Sequence, residues 1–211
     1  MKLLFVHGWG FDASFWDDLA ARLDGFEHVR DDRGYFGTPA PMTCEGRCIA
    51  VTHSFGTMRL LSEPPAGLAG VIAINGFDRF IASDDYPGVP PRLVDTMIAR
   101  FDRRPRAVLD DFLGRCGCGP ARYEFDRLQL AADLERMRTT DVRGVTAGLD
   151  MPLLSLQSAH DRIVPAAMRD AALAGSGKLE RCNHPEAGHL LPTDEPDWCA
   201  AAITAFLERF S

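Results

Sequence analysis

The chain has 211 residues, 46% of them hydrophobic and 25% charged, with a formal net charge of −7. That is enough for one α/β domain with a small insertion, and the wrong sign for general nucleic-acid binding. No apolar run approaches the roughly 20 residues of a membrane span. The opening MKLLFVHGWG carries one Lys and no small-residue cleavage site, so it reads as a strand rather than a signal peptide. The six cysteines (Cys44, Cys48, Cys116, Cys118, Cys182, Cys199) form no regular framework and no paired zinc-ligand spacing. They are expected to be reduced thiols of a cytoplasmic protein.

In chain order, Lys2 to His7 reads as a first strand ending in His7-Gly8-Trp9-Gly10. A helix follows with Ser14 as N-cap and Phe15, Trp16, Leu19 and Leu23 at helical spacing. Glu27 to Arg30 is a short strand, and Asp32 to Gly37 a loop. Cys48 to Val51 is a buried strand that runs through Thr52-His53-Ser54-Phe55-Gly56 into a helix carrying Met58, Leu60 and Leu61. Leu68 to Asn75, Pro152 to Gln157 and the weaker Leu179 to Asn183 complete the strands. Pro165 to Ala174 and Asp197 to Phe210 are helices. Strands apolar on both faces and alternating with helices predict a mostly parallel sheet covered on both sides.

The middle of the chain has no strand-like run between about Phe80 and Val145. A proline-rich loop from Ile81 leads into three predicted helices, Arg92 to Arg104, Pro105 to Arg115 and Arg122 to Arg138, the last with Leu128, Leu130, Leu134 and Met137 on its apolar face. Such an insertion between the fourth and fifth strands is expected to sit over the carboxyl ends of the sheet, where α/β proteins bind ligands. The expected division is therefore a core of residues 1–79 and 146–211 with a helical cap, 80–145. Residues 92–143 hold eleven arginines, nine acidic residues and no lysine. Guanidinium groups suit bidentate contacts to phosphate or carboxylate, although a solvated helical surface has the same composition.

A serine on a tight strand-to-helix turn is a nucleophile elbow. The turn pushes Ser54 Oγ out of the backbone and leaves the Phe55 N–H at a helix start, where negative charge is favoured. The usual G-x-S-x-G keeps only Gly56 here, Thr52 replacing the first glycine, and a plain exposed serine is the competing reading. Acyl transfer also needs a base, a group that orients it and oxyanion donors. In the chain order that accompanies an elbow, the acid candidate is Asp161 in SAHDRIVP, before a helix. The base candidate is His189 in AGHLLP, after the last strand, with His184 as its rival; His53 and His160 lie beside the nucleophile and the acid. The loop after the first strand would supply a second oxyanion donor, the Trp9 N–H, with its indole either walling an acyl pocket or buried as a core tryptophan.

HGWG, Asp32-Arg33-Gly34-Tyr35-Phe36-Gly37, HSFG, SAHDRIVP and AGHLLPTDEP fall in the order and places of the α/β-hydrolase superfamily, which the chain resembles over essentially its whole length. The two leading strands common in larger members are missing, so it resembles a short version. Through HGWGFDASFW, the serine elbow followed by Phe55 and the Arg-bearing cap, it is most similar to the pimeloyl-[acyl-carrier protein] methyl ester esterases of biotin synthesis. That resemblance implies that Ser54 attacks a methyl ester, His189 shuttles the proton, Asp161 orients His189, and the N–H groups of Trp9 and Phe55 hold the oxyanion. It also implies an acyl-carrier protein partner gripped by cap arginines, with Arg92, Arg100, Arg103, Arg104, Arg115 and Arg122 as candidates. No metal or cofactor is implied, and neither is a nucleic acid or membrane partner. A carboxylesterase for a small free ester and a non-catalytic binding module on the same fold are the alternatives.

Overall fold

The computed structural model describes residues 1–121 and 124–210. Six parallel strands form one sheet in the order β2-β1-β3-β4-β5-β6: β1 Lys2–Val6, β2 Glu27–Arg30, β3 Cys48–His53, β4 Leu68–Ile74, β5 Leu153–Ser158 and β6 Leu179–His184. All six predicted strands are present. The central ones are continuous apolar runs because helices cover both faces. Every residue of β3 is buried, as is every residue of β5. β6 is an edge strand with no fully buried residue, which is why its sequence signal is weak.

The strand order fixes where a site can form. From β1 the chain runs outward to β2, then returns to β3 on the other side of β1. The connections after β1 and after β3 therefore leave in opposite directions, opening a crevice at the carboxyl ends of these two strands. The loop after β1 carries Gly8 and Trp9, and the turn after β3 carries Ser54.

Helix boundaries differ from the sequence reading where a side chain caps the backbone. The first helix is a 3-10 turn, Ala13–Trp16, followed by α1 Asp17–Ala20. Its N-cap is Asp12, not Ser14: the Asp12 carboxylate accepts from Ser14 N at 2.9 Å, and successive three-residue turns through Phe26 end the helix early. α2 is Phe55–Ser62. α3 Pro91–Arg103, α4 Pro105–Cys116 and α5 Arg127–Thr139 are the three predicted insertion helices, which pack on one another. α5 starts later than predicted because Asp126 caps it, accepting from Gln129 N at 2.9 Å. Leu128, predicted on the apolar face, is 80% exposed. A short α6, Arg143–Ala147, precedes β5. α7 is only Ala166–Ala171, with Pro165 as its N-cap, and it stops before Leu173, whose φ is +61°. α8 Leu191–Asp194 and α9 Pro196–Leu207 pack with α1; a 3-10 turn, Glu208–Phe210, ends the closing helix. Among the described residues no helix is long and apolar enough to cross a membrane.

α5 is tied to the sheet by a buried charge. Asp133 is fully buried. It accepts from Arg33 through Nε at 2.6 Å and Nη2 at 2.8 Å, from Tyr35 OH at 2.8 Å and from Gln129 Nε2 at 3.1 Å. Burial pushes the carboxyl up, but the Arg33 hydrogen bonds and charge, with Tyr35, outweigh it and hold Asp133 below its ordinary range. Removing one member of such a pair leaves the other uncompensated, so Asp133→Ala is expected to cost about 3 kcal/mol of stability. Because the folded carboxyl titrates below its unfolded value, this contribution is complete above about pH 4 and is lost as the pH falls further. Thermal melts between pH 7 and pH 3 should show wild-type Tm falling toward that of Asp133→Ala at the acid end; a constant gap would refute it.

Candidate active site

The turn after β3 has the geometry of an elbow. Ser54 adopts φ +52° and ψ −124°, a conformation that side-chain-bearing residues rarely hold. The helix that follows is pressed against β1: a Cβ on Gly56 would stand 2.4 Å from the Val6 carbonyl oxygen and 2.6 Å from that of His7. Only glycine fits there. Thr52, which replaces the usual first glycine, is absorbed by the core. Its hydroxyl is 2.6 Å from Thr57 Oγ1 and donates to Ile72 O at 3.3 Å, so Thr57 donates to Thr52. The substitution leaves the strained turn in place.

The loop after β1 meets this turn directly. A Cβ on Gly8 would lie 3.2 Å from Ser54 Cβ. His7, fully buried, accepts from Arg33 N through Nε2 at 3.0 Å, so its proton is on Nδ1 and donates to Gly8 O at 2.8 Å. Burial holds this imidazole below its ordinary range, hence neutral. The backbone N–H groups of Trp9 and Phe55 have no intramolecular acceptor among the described residues. Phe55 is the first residue of α2, whose leading amides have no helical partner.

Asp161 and His189 are brought together. Asp161 Oδ1 accepts from Ile163 N at 2.7 Å and Val164 N at 2.9 Å, which leaves Oδ2 to accept from His189 Nδ1 at 2.8 Å. Both side chains are fully buried. With its proton on Nδ1, His189 presents an Nε2 lone pair, and that atom is buried without a hydrogen-bond partner. The rival His184 is committed elsewhere: its Nδ1 accepts from Ala187 N at 3.0 Å and its ring packs edge-on against Trp198. His160 is exposed. His53 is fully buried, and burial, together with nearby His189, holds it well below the usual histidine range and neutral.

Above Ser54 lies a cavity of about 290 Å³ between the sheet and α3, α4 and α5. Trp9, Phe77, Phe80, Val94, Met97, Val108, Phe112, Leu134 and Met137 wall it. The Trp9 indole serves both sequence alternatives. It is 1% exposed, yet it lines the cavity, meets Phe112 edge-on at 4.9 Å and donates through Nε1 to Leu130 O of α5 at 2.9 Å. Arg100, Asp111, Arg115 and Arg162 are its charged lining residues. Of the candidate arginines, Arg100 and Arg115 thus reach the cavity, Arg100 already paired with Asp111 at 2.7 Å. Arg103 and Arg104 do not line the cavity; they face an adjoining groove with Asp95, which shares Thr96 and Arg100 with it. Arg92 is exposed away from both, and Arg122 lies outside the described residues. Among the lining residues that the sequence does not single out are Arg162, Phe77 and Phe80. Arg162 was hidden by its position next to the acid. Phe77 and Phe80 stand in a segment without periodicity, and only their aromatic character marked them.

No protein-family model matches the chain. It is 28% identical to the biotin biosynthesis bifunctional protein BioHC of Cellvibrio japonicus over 99% of this chain and 48% of that protein, so it spans about half the length of that relative. It is 26% identical to the pimeloyl-[acyl-carrier protein] methyl ester esterase of Pectobacterium atrosepticum, over 98% of this chain and 94% of that one. An esterase from Exiguobacterium antarcticum superposes with a TM-score of 0.83 at 15% identity, covering 99% of this chain and 92% of its own.

On the turn, Gly56→Ala is expected to cost about 3 kcal/mol, because the added methyl lands on backbone that cannot move aside; a melt within 2 °C of wild type would contradict the close approach. The chain has the α/β-hydrolase fold and, across nearly its whole length, resembles the pimeloyl-[acyl-carrier protein] methyl ester esterases.

Proposed function

We propose that the protein is a serine carboxylesterase that cleaves the methyl ester of pimeloyl-[acyl-carrier protein], acting in the cytoplasm without a cofactor. The observation that carries the reading is the buried Asp161–His189 pair, whose Nε2 has no partner, beside a cavity that Ser54 lines and that is otherwise mainly apolar. In this reading residues 80–145 form the cap over a core of 1–79 and 146–211. The acyl chain lies against Trp9, Phe112 and Met137. Ser54 Oγ attacks the ester carbonyl as His189 Nε2 takes its proton, and the imidazolium is stabilised by Asp161. The developing oxyanion is held by the N–H groups of Trp9 and Phe55. His189 then protonates the departing methoxide, and water, deprotonated by the same imidazole, hydrolyses the acyl-enzyme.

The carrier would meet the exposed arginines around the cavity mouth. Arg100 is paired with Asp111, but both are more than half exposed, and such a pair is worth about 0–1 kcal/mol, so Arg100 can exchange partners. The same pairing favours a second reading, a carboxylesterase for small free esters, since it leaves less free positive charge for a protein partner.

Ser54→Ala and His189→Ala should each lower kcat by about 10⁴-fold or more while His184→Ala leaves it near wild type; turnover retained in the first two would sink the mechanism. Carrier-bound ester cleavage should fall steeply between low and high salt, because exposed charge contacts are screened, while cleavage of a short p-nitrophenyl ester should not. Equal salt response of the two substrates would leave the small-ester reading.

A further inference from the structure

No hydrogen bond holds His189 at Nε2, so the ring is held by Asp161 at Nδ1, by the His53 ring packed 4.7 Å from it between centroids, and by its own backbone. The carbonyl of His189 is where the backbone is fixed, and two buried side chains donate to it. Asn75 Nδ2 donates at 3.0 Å and His53 Nε2 at 2.9 Å.

Asn75 follows β4 with φ +47°, in the left-handed region that asparagine tolerates. Its own N–H donates to Leu156 O at 2.8 Å, and its side chain lies across the ends of β4 and β5. The amide orientation is determined by its partners. Oδ1 faces the Ser158 N–H at 3.0 Å, and Nδ2 faces the carbonyl oxygens of Gly188 at 3.2 Å and His189, with Ser158 Oγ at 3.0 Å. A backbone N–H only donates and a carbonyl only accepts, so the flipped amide fails at both ends. A carboxylate would face two carbonyls with no hydrogen to offer. His53 likewise carries its proton on Nε2, and its Nδ1 is buried without a partner. Neither residue lines the cavity.

We propose that Asn75 and His53 are positioning residues that clamp the His189 carbonyl, so that the imidazole stays aimed at Ser54 while its Nδ1 keeps to Asp161. The clamp joins all three loops of the site: His53 precedes the nucleophile, Ser158 begins the loop to the acid, and Gly188 and His189 are the base loop. The inference rests on the serine-esterase reading above.

The test uses a short p-nitrophenyl ester, which makes little use of the cavity or of a carrier, together with Ser54 labelling by a fluorophosphonate. Asn75→Ala should lower kcat about 30- to 100-fold, the scale of a small misplacement of a catalytic group, with KM within about twofold. His53→Leu should lower kcat about tenfold, and His53→Gln, which keeps an N–H donor, should recover most of that loss. A folded Asn75→Ala with kcat within threefold of wild type overturns the proposal, as does equal loss in His53→Leu and His53→Gln. If Asn75→Ala does not fold, the His53 pair decides. A wild-type protein that neither turns over nor labels at Ser54 overturns the esterase reading and this inference with it, whereas a labelled wild type matched in rate by both variants overturns the clamp alone.

Discussion

The site depends on one close approach, that of α2 to β1. With the Gly56 α-carbon seated against the carbonyls of Val6 and His7, the chain has to turn sharply at Ser54, and Ser54 takes a backbone conformation that costs of order 1–3 kcal/mol. The surrounding sheet over-determines that turn: Ser54 N donates to Ile74 O at 3.1 Å, and β3 is buried along its whole length. The rest follows from this placement. The hydroxyl is lifted into the crevice at the topological switch, the α2 amides point the same way, and the loop after β1 is near enough to add a second donor.

Around this turn the protein spends buried polar groups freely, yet leaves few of them unmatched. His7, Arg33 and Asp133 form a chain that runs from the loop after β1 to the insertion helices, every link a hydrogen bond with a defined donor. Asp161 uses one carboxylate oxygen to hold its own loop and the other to hold His189. The exceptions are informative because orphaned buried atoms are expensive. His189 Nε2 is one, the atom to which the proposed mechanism gives the proton of Ser54. His53 Nδ1 is another, tolerable because the ring is neutral and its other nitrogen is bonded.

Much of this was legible in the sequence, and what was not has identifiable causes. The strands read clearly because a fully buried parallel strand is a continuous apolar run. The positions of Ser54, Asp161 and His189 followed from motif context at strand ends. Thr52 looked like a defect in the elbow motif, since the sequence does not say that the Thr57 hydroxyl lies beside it. Asp12 was passed over as a cap because Ser14 is an equally good cap by type, and only the backbone geometry separates them. The start of α5 was placed early because Asp126, an ordinary surface acid in the sequence, acts as a stop. Asn75 read as the end of a strand, and its partners come from segments more than eighty residues away. Long-range polar pairing of this kind has no periodic signature, so neither the Asp133 latch nor the His189 clamp could be read from one sequence.

The indole hydrogen bond from Trp9 to Leu130 has a mechanical consequence. It makes one residue both a wall of the cavity and a tether between the loop after β1 and α5, alongside the Arg33 and Tyr35 grip on Asp133 one turn further on. α5 is thereby part of the static frame of the site. α3 is bound to this frame in turn, Arg138 of α5 pairing with Asp95 and Arg127 donating to Asp102 O at 3.0 Å.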